Sequence, residues 1–184
     1  MTIRICAPEE VYSFWFERCS REKWFQSTLS LDEEIRDRFR DTHLALAGGI
    51  IGSWHASPKN RLAAVIVLDQ FPRNIYRNTP LAFATDGLAL REAKLAIDAG
   101  ADRLVDKECR AFFYMPFEHA EDIAAQEQSV TLFQALGDAD YLDYAIRHRD
   151  VIATFGRFPH RNAIIGRAST AAELEYLAKP GAGF

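Results

Sequence analysis

The sequence predicts an all-α protein, and three observations carry that expectation. Helix start and stop signals recur from one end of the 184-residue chain to the other. Apolar residues return at spacings of three and four, the period of a helix face. The one β-branched apolar run, "AAVIVL" at 63–68, has no second strand candidate to pair with. Ser57-Pro58 stands before it as a helix start, and the run continues to Phe71, too long for an ordinary strand. It is therefore assigned to an apolar helix at the centre of a bundle.

The elements follow in order. Pro8 with Glu9 and Glu10 suits a first turn leading into "VYSFWFERC". Ser30 and Glu33 have capping-box spacing, and Gly48-Gly49 closes the helix carrying Ile35, Phe39 and Leu46. Ser57-Pro58 opens the next helix, which Pro72 should break. Thr79-Pro80 opens another, closed by Gly100. Ile123, Val130 and Phe133 form one later stripe; Tyr141, Tyr144, His148, Ile152 and Phe155 form a second. Thr170 and Glu173 make a last capping box before the tail "AKPGAGF", which reads as frayed. No long linker divides the chain, so residues 1–184 are expected to form one domain of about eight or nine helices.

Composition narrows the function classes. Apolar residues make up 48% and charged residues 26%, a globular mixture, and the net charge of -4 gives no reason to expect nucleic acid or anionic membrane as a partner. Cys6, Cys19 and Cys109 form no close pair, which points to free thiols in a reducing compartment. The N-terminus reaches acidic residues before any apolar stretch, unlike a signal peptide. The runs "LALAGGII" and "LAAVIVL" are far shorter than the roughly 18 residues a membrane span needs. A cytoplasmic protein is expected. There is no phosphate-binding P-loop, dinucleotide fingerprint or nucleophile elbow, and no cofactor is called for.

Three polar patches interrupt the helical pattern. Asp69 lies on the stripe of Leu62, Val65 and Ile66, where a carboxylate must be paired; Gln70, Arg73 and Asn74 follow around Pro72. The second patch, "FFYMPFEHAED", sets Glu118, His119, Glu121 and Asp122 beyond Pro116. The third is "RFPHRN" at 157–162, where Gly156 and Pro159 should hold His160, Arg161 and Asn162 on a rigid loop. Its phrase echoes "QFPRN" at 70–74. From Ala145 to Arg167 five arginines face a single acid, and His148 sits on the apolar stripe nearby. Arginine's planar fork suits a carboxylate or phosphate, so Arg161 either clamps an internal acid such as Asp69 or Glu118, or binds an anion. Glu118, His119 and Asp122 with His148 or His160 offer metal-ligand atoms, but their spacing matches no known metal motif, and no metal is expected.

Together these phrases resemble the bacterial DUF924 family, a domain of unknown function. "LDQFPRNIYR", "FFYMPFEHAED" with "QSVTLF", and "FGRFPHRNAIIGRAST" carry the resemblance, with "FWF" and Trp24-Phe25 beside them. Ala120 and Ile164-Ile165 are mild departures. The resemblance implies an all-α fold similar to tetratricopeptide-like arrays, and it supplies no catalytic residues.

Two functions are compatible with this reading. In the first, Asp69, Gln70, Arg73, Asn74, Glu118, His119, His148, His160, Arg161 and Asn162 converge on a small anionic ligand, with a histidine as acid–base group if the ligand reacts. In the second, a helical array takes a protein or peptide partner, with Trp15, Trp24 and surface arginines as anchors.

Overall fold

The computed structural model describes residues 4–26, 28–49 and 52–183. They are helical with no strand among them, as the sequence predicts. The elements are α1 (Pro8–Tyr12), α2 (Arg21–Phe25), α3 (Leu29–Gly48), α4 (Pro58–Val65), α5 (Phe71–Ile75) and α6 (Asp86–Asp98). They continue with α7 (Lys107–Glu118), α8 (Ile123–Leu136), α9 (Ala139–Phe155), α10 (Asn162–Ile165) and α11 (Ala171–Leu177). No helix of the described residues is long and apolar enough to cross a membrane.

The chain divides into two compact units. Met1–Arg77 with Leu81–Pro116 form the first, and Asn78–Pro80 with Phe117–Phe184 the second. The first is organised around the "AAVIVL" segment. Leu62 through Leu68 are essentially inaccessible to solvent, so this helix is buried on every side, as an apolar helix without a polar face must be. α4 packs against α1 and α6, and α3 against α5. Phe14, Phe39 and Phe71 join in the core, the last two stacked with centroids 4.7 Å apart. Trp15 is also fully buried and meets Phe71 edge-on, so it is no surface anchor; Trp24 donates its indole N–H to the Trp15 carbonyl.

Pro72 does not end its helix, contrary to expectation. A π-helical turn, Ile66–Gln70, joins α4 to α5, and the Phe71 N–H bonds to the Ile66 carbonyl. The wider turn makes room for a proline that has no N–H to return to the preceding turn. The Leu68 carbonyl takes the Thr85 hydroxyl instead, at 2.7 Å, and the Asp69 carbonyl accepts from the Arg73 guanidinium. Arg73 and Asn74 therefore lie inside α5.

Other boundaries move for local reasons. α3 starts at Leu29 because the Thr28 hydroxyl, rather than Ser30, accepts the Leu31 N–H at 3.2 Å. Thr79-Pro80 opens only a short 3-10 turn, Pro80–Phe83, before α6 begins.

In the second unit α8 and α9 pack together across Gly137, whose φ of 70° terminates α8. Phe133 and Tyr141 stack at 5.6 Å. Ile123 and Tyr144, placed on apolar stripes by their spacing, are 43% and 49% exposed. Each sits at the margin of a face whose centre is taken by Phe133 or His148. After Gly156, at φ 68°, the chain turns through Pro159–Arg161 into α10, and the Thr170–Glu173 capping box starts α11. The Arg157 guanidinium grips Glu173 with Nε at 2.6 Å and Nη2 at 2.9 Å, and Phe155 packs on Tyr176.

Candidate functional site

The ten residues proposed from sequence fall into two groups, one in each unit. In the first unit Asp69 is fully buried beside Gln70, which donates its amide to the Asp69 carboxylate and reaches the Met115 sulfur at 3.6 Å. Arg73 forks onto Asp86 at 2.9 and 3.1 Å and lies 3.4 Å from Asp69. Burial works against the Arg73 charge, but the Asp69 and Asp86 carboxylates outweigh it and raise its pKa. One guanidinium thus serves two acids. Asn74 belongs to a different cluster: it donates to Asp32 at 2.8 Å, and Arg77 grips the same carboxylate through Nε at 2.6 Å.

The second unit gathers Glu118, His119, His148, His160 and Arg161. Phe158, fully buried, is the common surface of His148, His160 and Arg161. The Arg161 guanidinium lies 4.6 Å from the Phe158 centroid; the His148 and His160 rings meet that same ring at 5.5 and 5.6 Å. Arg161 also donates from Nη2 to the His119 carbonyl at 3.0 Å. His148 Nδ1 is 2.8 Å from the Tyr144 carbonyl and 3.2 Å from the Glu118 carboxylate.

Burial keeps the His148 and His160 imidazoles neutral. It pushes His148 down to about 3 against the Tyr144 carbonyl, with the charges of His119, Arg161 and His160 adding to the fall. His160 falls to about 4, by burial first and then by Arg161. A neutral imidazole keeps one N–H and one bare nitrogen. With Nδ1–H turned to Tyr144, His148 retains Nε2 as its basic atom.

Two supports hold this cluster in place. Gln126, fully buried on α8, donates to the carbonyls of Glu118 and Ala120 at 2.6 and 2.8 Å and approaches that of Phe117 at 3.4 Å. Glu121 accepts the Phe158 N–H at 2.8 Å and two bonds from Arg167 at 2.6 and 2.8 Å. Burial works to raise the Glu121 pKa, but Arg167 and the Phe158 N–H hold it below the ordinary carboxylate value. Asn162 faces this support rather than the histidines, donating to Ser169 at 3.0 Å and accepting from Arg167 at 2.9 Å.

Sequence reasoning missed Phe158, Arg167 and Gln126 as partners. Phe158 was visible in "RFPHRN"; Gln126 looked like any polar helix residue. Asp122, part of the metal set considered from sequence, caps α8 by accepting the Ala125 N–H at 2.8 Å through one carboxylate oxygen. Among the described residues no group of three or more histidine, cysteine or acidic side chains is placed to hold a metal ion.

The fold and these two clusters define an all-α protein whose polar signature phrases are folded into buried ion-pair and histidine networks. The chain belongs to the DUF924 family, described as bacterial protein of unknown function, whose model matches residues 11–181. It is similar to a solved protein of unknown function from Agrobacterium tumefaciens, with 43% identity over 93% of this chain and 96% of that one and a TM-score of 0.89. No match to a curated protein was found.

Proposed function

We propose that the second unit binds a small anionic molecule, a carboxylate or phosphate, at the Arg161–histidine cluster. The observation that carries this reading is the assembly of a buried guanidinium and two neutral imidazoles around one aromatic ring. Guanidinium supplies charge and a planar fork, and a neutral His160 supplies one N–H donor that carries no desolvated charge; His148, whose N–H goes to Tyr144, offers Nε2 as a base. Where the ligand reacts, His148 is the acid–base group, oriented through Nδ1 by Tyr144 and Glu118. The first-unit residues Asp69, Gln70, Arg73 and Asn74 are assigned to an internal staple, since Arg73 and Arg77 already serve buried acids. The three cysteines are all free and buried, which supports a cytoplasmic setting.

Thermal unfolding with inorganic phosphate, sulfate, acetate and citrate tests the proposal. A ligand at a hundred times its Kd stabilises by about 2.7 kcal/mol. That gain should vanish in Arg161→Lys, which keeps the charge but loses the fork. If none of these anions stabilises the protein, the reading fails.

A second reading, a tetratricopeptide-like module for a peptide partner, is favoured by Phe25 and Leu29, 57% and 81% exposed, with Phe25 edge-on to Trp24. Peptide selection on the native protein should then yield sequences whose binding is lost in Phe25→Ser. Unchanged binding in that variant removes Phe25 from consideration.

A further inference from the structure

We propose that the segment 179–183 is a lid over His160 and lifts before a ligand reaches the histidine–arginine cluster. This rests on the anion-site reading given above.

Two separate contacts bring the segment back onto the cluster. Gly183, at φ 84°, lies so close to His160 that a Cβ placed on it would stand 3.3 Å from the histidine Cβ and 3.7 Å from Cγ. A side chain at this position would press on the base of the His160 side chain, and the positive φ also favours glycine. Two residues earlier, the Gly181 carbonyl accepts from Arg147 Nη2 at 3.3 Å. Arg147 is the neighbour of His148 on α9, so the latch and the buried base share one helical turn.

The segment is held far more lightly than the helix before it. α11 is anchored by the Arg157–Glu173 pair and by Tyr176 against Phe155. Beyond Leu177 the chain makes two turns, Lys179 N–H to the Tyr176 carbonyl at 3.0 Å and Ala182 N–H to the Lys179 carbonyl at 3.2 Å. Residues 179–181 are exposed, and the Arg147 hydrogen bond that reaches this segment from α9 is long and exposed. Elements with few buried contacts and exposed hydrogen bonds open at low free energy while their anchors stay folded. Glycines at 181 and 183, with Pro180 before them, let the backbone turn sharply over the ring.

Ethoxycarbonylation of His160 by diethyl pyrocarbonate, followed by peptide mass spectrometry, tests the lid. His55, a half-buried histidine of the first unit, is the internal reference. His160 should react slowly in the full chain and several-fold faster in Arg147→Ala and in a chain ending at Ala178. The His55 rate should not change. If the truncated chain fails to fold, Arg147→Ala decides alone. An unchanged His160 rate in the folded variants overturns the lid. Inorganic phosphate should protect His160, and at lower concentration in the opened variants. Faster reaction with no phosphate protection keeps the lid and discards phosphate as ligand.

Discussion

Arg167 and Glu121 stand 46 residues apart in sequence and meet in a two-bond pair, Nη1 at 2.6 Å and Nη2 at 2.8 Å. Glu121 also receives the Phe158 N–H. This joins the connection after α7 to the turn that carries Arg161. Each partner keeps about a quarter of its side-chain surface in solvent, so its removal should cost less than in a dry core.

Arg167→Met is expected to destabilise the protein by about 2 kcal/mol, because it strands a largely buried carboxylate. Arg149→Ala, which breaks the exposed pair with Asp150, should change stability by no more than about 0.5 kcal/mol. Urea unfolding at pH 7 separates the two; equal losses would show that the Glu121 pair has no structural weight.

Gln126→Leu should cost about 2–4 kcal/mol, since an apolar side chain of similar length leaves the Glu118 and Ala120 carbonyls without their donor. Gln126→Glu should be at least as damaging, placing acceptors against acceptors. A stable Gln126→Leu protein by urea unfolding would mean that those carbonyls find water.

Thr85→Val should cost about 1–3 kcal/mol, because the Leu68 carbonyl loses the hydroxyl that stands in for the missing Pro72 N–H. Pro72→Ala restores an N–H, so Thr85→Val should be cheaper in that background. Additive losses in a double-mutant cycle would refute the substitution of one donor for the other.

Acid should weaken the fold in two stages. His148, His160 and His43 have pKa values lowered to about 3, 4 and 4, chiefly by burial. The unfolded chain therefore takes up protons that the native one refuses. Their contribution is complete above the ordinary value near 6.5 and is lost as pH falls toward the folded values, with a slope of up to about 1.4 kcal/mol per pH unit for each histidine. Glu173, held at about 2 by Arg157 and by the Thr170 backbone, adds loss only below its ordinary value near 4.5. Urea midpoints from pH 8 to 3 should be flat above 7 and fall below 6.5. His148→Phe should make the decline shallower; an unchanged slope would show that this imidazole is not buried neutral.

The helical class was legible because capping chemistry and periodicity agreed along the chain, at Ser57-Pro58, at Gly156 and at Thr170–Glu173. Pro72 misled because proline normally stops a helix, and nothing local announces the π turn that carries the chain through it. The polar residues of the clusters were legible by type. Their pairings were not: Arg157 chooses Glu173 and Arg167 chooses Glu121 through tertiary placement alone. Asn74 and Asn162, grouped by phrase with their neighbours, turn toward Asp32 and Arg167 instead.

The triple approach of Gln126 has a bearing on how this chain can vary in length. Its amide spans the whole connection between α7 and α8, touching carbonyls on both sides of His119. An inserted or deleted residue between 119 and 122 would slide those carbonyls away from a side chain that has nowhere else to reach. Length changes are tolerated where the affected backbone is exposed and unbonded. Here they are not, so relatives that keep a glutamine at this point should also keep the spacing from Glu118 to Gln126.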